Sequence, residues 1–185
     1  MIAVPHFISP QEYLTLEEQN PIRHEYRQGL VYAMTGETDN HDRIAFNFLK
    51  LIDNHFGDNS KCRFYSGGVK VNYRDEFYYY PDAFVTCDER DLTNRYVKRY
   101  PKLIMEVLSP STQVFDLGEK FSDYQQLESL AEYVLISQNS LRVECRRRTQ
   151  SQAWETVIYG EGEFVFLESI NLEFDIAQIY RGLDN

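Results

Sequence analysis

The chain has 185 residues, 43% of them hydrophobic and 26% charged, with a formal net charge of −10, a composition that folds and does not stay disordered. Apolar runs are short, Tyr133–Ile136 being one, so no membrane-spanning helix is expected, and the N-terminus lacks the pattern of a secretory signal. Three widely spaced cysteines, Cys62, Cys87 and Cys145, suggest free thiols in a reducing cytoplasm and argue against a disulfide framework or a zinc cluster.

The length suggests one domain over residues 1–185. Ser9-Pro10-Gln11-Glu12 opens a short helix, with Ser9 as cap, Pro10 in the first turn and Glu12 completing a capping box. Ile22–Thr35 alternates around Gln28-Gly29 as a hairpin would. Residues 39–56 carry Ile44, Phe48, Leu51, Ile52 and Phe56 at helical spacing, with Asp39 or Asn40 as cap and Gly57 as terminator. Strand-like runs follow at Arg63–Tyr73, Phe77–Thr86 and Leu103–Leu108, with Gly67-Gly68 read as a bulge in the first. A helix with Val114, Leu117, Phe121 and Tyr124 on its apolar stripe comes next, and then Tyr133–Ile136 as a strand at the centre of a covered sheet. Leu141–Arg147, Trp154–Tyr159 and Glu163–Leu167 read as an antiparallel meander, closed by a short helix near Ile176–Tyr180. The order implies an α/β protein with a mixed sheet.

Charge is unevenly spread. Ser151–Asn185 holds seven acids and one base, whereas basic stretches lie at Arg90–Lys102 and Arg142–Arg148. These stretches read either as solvated faces or as basic patches on a near-neutral body.

Two carboxylates stand out. Asp82 follows Pro81 in the middle of a strand-like run, where proline marks an edge, a bulge or a bend that can aim the next side chain out of the sheet. Glu106 interrupts the apolar run Leu103–Leu108, and a buried carboxylate there must be paired, protonated or metal-bound. Singly, Asp82 reads equally as a turn cap and Glu106 as the partner of an arginine. Together they form the skeleton of a site for a hard divalent cation such as Mg²⁺. Lys120 lies four residues after Asp116, on the same helix face, either as an exposed pair or as a cation reaching toward a scissile phosphate. Glu25 in the first hairpin could support the metal, and His41 near a helix start could meet a phosphate. There is no G-x-S-x-G, no paired-histidine zinc motif and no phosphate-binding glycine loop.

Pro81-Asp82, then Glu106-Val107-Leu108-Ser109-Pro110-Ser111-Thr112, then Asp116-x-x-x-Lys120 resemble the Uma-two family of predicted endonucleases. This former domain of unknown function lies within the PD-(D/E)XK restriction-endonuclease-like superfamily. His24-Glu25-Tyr26, Gly29, His41 and Glu132-Tyr133-Val134-Leu135 fit as well, so the resemblance spans about residues 11–148 and leaves 151–185 as an acidic extension. It implies a restriction-endonuclease-like core, a central mixed β-sheet flanked by helices, and Mg²⁺-dependent hydrolysis of DNA phosphodiesters, with Mn²⁺ as substitute. Asp82 and Glu106 would bind metal, with the Val107 carbonyl as third ligand. Lys120 would be the superfamily lysine and Glu25 an auxiliary. His41, Asp116 and Tyr124 are the candidate substrate-binding positions. One departure is plain: two residues after Glu106 stands Leu108, not lysine, so the cation must come from the following helix. A homodimer would suit duplex cleavage. The competing readings are a non-catalytic interaction or assembly module with the same fold, and a metal-dependent phosphoesterase for a small substrate.

Overall fold

The computed structural model describes residues 7–34, 36–58 and 60–183, so Thr35 at the end of the expected hairpin, and Asp184 and Asn185 at the end of the acidic segment, lie outside the described residues. Helix α1 (Pro10–Gln19) starts on the expected capping box and leads to the hairpin β1 (His24–Arg27) and β2 (Leu30–Ala33). Helix α2 (Asp39–Phe56) is capped by the Thr38 side chain, one residue before the expected Asp39, and ends at Gly57. Then come β3 (Arg63–Ser66), β4 (Lys70–Tyr73), β5 (Phe77–Tyr79) and β6 (Ala83–Thr86). After a 3-10 turn at Glu89–Leu92 come β7 (Val97–Lys98) and β8 (Pro101–Leu108). Two short helices, α3 (Gln113–Leu117) and α4 (Glu119–Tyr124), precede β9 (Glu132–Ser137), β10 (Val143–Arg148), β11 (Trp154–Tyr159), β12 (Phe164–Leu167) and β13 (Leu172–Asp175). A final 3-10 turn covers Ile176–Gln178.

The strands form a six-stranded sheet in the order β11-β10-β9-β8-β6-β3, a five-stranded sheet in the order β2-β1-β5-β4-β7, and the separate hairpin β12–β13. β8 and β9 run parallel at the centre of the larger sheet while its other neighbours are antiparallel, so the sheet is mixed as expected. Its strands alternate between two cores. Leu103, Met105 and Val107 of β8 face α2 and the C-terminal hairpin. Ile104 faces the five-stranded sheet, α4 and the segment after it. The α2 stripe Ile44, Phe48 and Ile52 is fully buried on the first face, each side chain contributing about 2 kcal/mol of apolar burial.

Several expectations change. The run Arg63–Tyr73 is two strands in different sheets, because the chain turns at Gly67-Gly68. The single helix over the Val114–Tyr124 stripe is broken at Gly118, where an added Cβ would stand 3.1 Å from the Val114 carbonyl, and Val114 itself is exposed. The meander runs β9–β10–β11, whereas β12 turns away to pair with β13. The basic stretch of β10 is not a solvated face. Arg147 bonds the fully buried Glu132 at 2.9 Å, Arg148 donates to the carbonyls of Gln125, Leu127 and Leu130, and Arg146 to that of Leu117.

The cysteine reading is corrected for two of the three. Cys62 and Cys87 form a disulfide, while Cys145 is free and buried. No sequence motif marks the pair. The antiparallel register pairs Arg63 with Thr86, and the next residues outward are Cys62 and Cys87. Reducing this bond, which closes a loop of sequence separation 25, should lower stability by about 3 kcal/mol in urea unfolding. The Cys62→Ala/Cys87→Ala variant should show the same loss relative to the oxidised wild type.

Candidate active site

Pro81 ends the pairing of β5 and turns the chain into β6. The β6–β8 register sets Ala83 against Met105, so Asp82 falls opposite Glu106. Its side chain swings back over the strand end, where Asp82 Oδ2 accepts the Val107 N–H at 2.7 Å. Glu106 shares the face of Ile104 by strand alternation and therefore points away from α2, toward α3 and α4. Its Oε2 lies 3.4 Å from the Asp82 N–H.

Lys120 comes from α4 and is 95% buried. Its Nζ lies 2.9 Å from Glu106 Oε1, 3.3 Å from Glu25 Oε1 and 3.6 Å from Asp116 Oδ1. Glu25 reaches there from β1, held by the Tyr80 N–H at 3.0 Å. The helix that carries Lys120 is itself fastened from below. Tyr79 Oη donates to Asp123 Oδ2 at 2.6 Å, and Arg27 Nε donates to the same oxygen at 2.7 Å. Tyr124 is fully buried, with its hydroxyl donating to Glu106 Oε1 at 3.1 Å. Asp116 is buried on Lys120, and its backbone carbonyl accepts from Tyr133 at 3.1 Å.

His41 stands in the first turn of α2. Its Nε2 is 3.2 Å from Asp82 Oδ2 and its Nδ1 is 3.0 Å from Glu37 Oε2. The fold thus brings Glu25, His41, Asp82, Glu106, Asp116 and Lys120 to one cleft of about 710 Å³, which Val107 and Glu37 also line. Tyr124 supports it from beneath. Sequence reading missed Glu37. Its one signal is the four-residue spacing to His41, an ordinary pattern outside a known helix.

Charge in the cleft is unbalanced. Burial works against the Lys120 charge, but Glu106 and then Glu25 outweigh it and hold the ammonium well above the usual lysine range. Burial pushes the Glu106 carboxyl well above the carboxylate range, Lys120 opposes this, and Asp82, Asp116 and Glu25 add to it. The residues fit a hard dication on the chemistry of their donors. Asp82 Oδ1 takes part in none of the contacts above, Glu106 Oε2 has only a long one, and the local carboxylates outnumber the cations.

A family model, Uma2, described as "Putative restriction endonuclease", matches residues 10–177. The chain belongs to the Uma2 family. Among curated relatives, the uncharacterized protein slr1290 of Synechocystis sp. (strain ATCC 27184 / PCC 6803 / Kazusa) is 37% identical over 177 residues, covering 95% of this chain and 93% of that protein. The uncharacterized protein sll1609 of the same organism is 33% identical over 174 residues, covering 91% of this chain and 98% of that one. A solved structure, a putative nuclease belonging to DUF820 from Anabaena variabilis ATCC 29413, superposes with a TM-score of 0.78 at 19% identity. It covers 94% of this chain and 97% of that chain, so the two share a fold. For this Uma2 protein, no helix among the described residues is long and apolar enough to cross a membrane.

The His41 ring makes a pH prediction. Burial disfavours its charge, but Asp82 and Glu37 more than compensate and raise the imidazolium to about 10 from the ordinary 6.5. The stability it contributes is fully present below about 6.5 and is lost as pH rises toward 10. In chelator, urea midpoints measured across that range should fall further for wild type than for His41→Gln.

Proposed function

We propose that this Uma2 protein is a Mg²⁺-dependent endonuclease that hydrolyses DNA phosphodiester bonds. The observation that carries the reading is the 2.9 Å approach of Lys120 Nζ to Glu106, because it supplies from α4 the cation that Leu108 does not. Asp82 and Glu106, with the Val107 carbonyl, would hold the ion. When bound, it supplies polarisation of the phosphodiester and a lowered pKa for the attacking water.

The chain's own residues do the rest. Lys120 neutralises negative charge that develops on the phosphoryl oxygens, in a cleft where low dielectric makes that charge count. Glu25 and Asp116 orient the ammonium, and Tyr124 orients Glu106. His41 bears on Asp82 from the opposite wall. A lysine directed to solvent would have favoured the non-catalytic module, and the Lys120 side chain is only 6% exposed. The excess negative charge implies that DNA binding is weak in chelator, depends on the metal and falls with salt. Two-strand cleavage would call for a homodimer, with one site per strand.

The test is nicking of supercoiled plasmid with Mg²⁺ or Mn²⁺ against a chelator control. Asp82→Asn and Glu106→Gln should abolish it, and Lys120→Met should slow it by about 10²–10³-fold. Activity undiminished in Asp82→Asn would overturn the assignment. Hydrolysis of a small phosphodiester with plasmid left intact would favour the small-substrate phosphoesterase.

A further inference from the structure

The basic stretch Arg90–Lys102 takes no part in the cleft, and the fold gives it a cavity of its own. This second cavity, of about 540 Å³, opens where the β4–β5 turn, the loop between β6 and β8 and the segment before β9 meet. It shares no lining residue with the cleft. Tyr100, on its wall, and Glu106, in the cleft, are about 20 Å apart along the extended chain of β8. Three arginines line the cavity, Arg74, Arg90 and Arg99, against two carboxylates, Asp88 and Glu128, in a chain whose net charge is −10.

The three guanidinium groups are held differently. Arg90 donates from Nε and Nη2 to Asp88 at 2.9 and 2.6 Å and stacks 3.6 Å from the centre of the Tyr100 ring. Arg99 uses only Nε, which donates to Asn72 Oδ1 at 2.9 Å, and the fully buried Asn72 is itself fixed on the Phe77 carbonyl at 2.8 Å. Arg99 Nη2 stands 3.8 Å from Asp75 Oδ1, beyond hydrogen-bond reach. The backbone beneath is pinned, because the buried Asp91 carboxylate accepts the N–H groups of Arg99 and Tyr100 at 2.7 and 3.1 Å. Arg74 lies 5.0 Å from the centre of the Tyr73 ring. Among the described residues no acceptor bonds the Arg74 guanidinium or the Nη atoms of Arg99. Arg74 also occupies a costly backbone position. With Asp75 it forms the centre of a turn closed by the Glu76 N–H on the Tyr73 carbonyl at 2.8 Å, and the two have φ values of 45° and 61°, in the left-handed region. Asn, Asp or Gly suit such a position and arginine does not, and strain of this kind is concentrated at ligand clamps.

We propose that this cavity binds a phosphomonoester of nucleotide size, its dianionic phosphate taken by the unclaimed guanidinium nitrogens of Arg74 and Arg99. Two such forks match a tetrahedral dianion with several acceptor oxygens, whereas a single carboxylate would leave one fork idle. Arg90 already neutralises Asp88, so the exposed Glu128 opposes two free cations. The volume exceeds what a phosphate needs and falls in the range of cavities that take small organic ligands. Tyr73 and the Arg90–Tyr100 stack supply flat π surfaces for a base. The phosphate belongs either to a free nucleotide or to the 5′-phosphorylated end of a DNA strand, and both present the same group. No metal takes part, so the site is independent of the one assigned to Asp82 and Glu106.

Calorimetric titration of the full chain in chelator tests this with four probes: 5′-deoxyadenylate, deoxyadenosine, and a short single-stranded oligonucleotide with and without a 5′-phosphate. One phosphorylated probe should bind at least about tenfold more tightly than its unphosphorylated counterpart. Binding of the nucleotide marks a free nucleotide as the source; binding of the phosphorylated oligonucleotide alone marks a strand end. Arg99→Gln and Arg74→Asn should each weaken that binding at least about tenfold. Asparagine suits the left-handed turn, so Arg74→Asn should keep a urea midpoint at or above that of wild type, and its lost affinity is then not misfolding. Asp82→Asn, altered in the other cavity, should bind as wild type does. The inference is overturned if neither phosphorylated probe binds, or if the unphosphorylated probes bind as well. It is overturned equally if Arg74→Asn and Arg99→Gln both bind undiminished, or if Asp82→Asn is the variant that loses binding. None of these results bears on plasmid nicking with Mg²⁺.

Discussion

The buried ammonium of Lys120 is the constraint on which the cleft depends. A lysine taken out of water loses several kcal/mol of solvation unless opposite charge surrounds it. Here three carboxylates from three different elements do so: Glu25 from β1, Glu106 from β8 and Asp116 from α3. The cation offsets the repulsion among them, and they offset the cost of burying the cation. The five-stranded sheet, the six-stranded sheet and the short helices therefore meet at one electrostatic junction as well as along an apolar core.

Around that junction the surrounding structure is arranged to keep the groups in place. Aromatic packing supplies much of the rigidity. Tyr124 meets Phe77, Tyr79 and Tyr133 edge-on while its hydroxyl bonds Glu106. Asp123, one residue earlier, takes both Tyr79 and Arg27, so α4 is tied to β5 and β1 at the turn that presents Lys120. A six-residue helix has little stability of its own, and its position is set by these contacts.

The charge distribution becomes intelligible in the same terms. The arginines of β10, which could have been an exposed basic surface, are partly buried and bonded inward: they satisfy Glu132 and the carbonyl groups of the segments packed on the sheet. Lys98 is likewise buried, donating to the carbonyls of Asp91 and Asn94. Part of the −10 is the carboxylate set of the cleft, and much of the remainder lies in the C-terminal segment. Net charge by itself therefore describes neither the cleft nor the surface.

By itself, the sequence determined the elements whose signals are local. The capping box at Ser9, the hairpin around Gln28-Gly29, the apolar stripe of α2 and the covered strand at Tyr133–Ile136 are all legible, because cap chemistry and periodicity act over a few residues. It also marked Asp82 and Glu106 as unusual, since a carboxylate after a mid-strand proline or inside an apolar run demands an explanation, and it left Lys120 open between an exposed pair and a reaching cation. Tertiary structure decided the rest. Which strands of the Arg63–Tyr73 run pair with which sheet, and whether Cys62 meets Cys87, depend on register between segments distant in sequence. Whether Lys120 reaches Glu106 depends on the break at Gly118 and on the anchors beneath α4. Glu37 and His41 join Asp82 only because α2 starts at the cleft wall. Local physics sets what each segment is; long-range packing sets which charges must share a space too small for water to separate them.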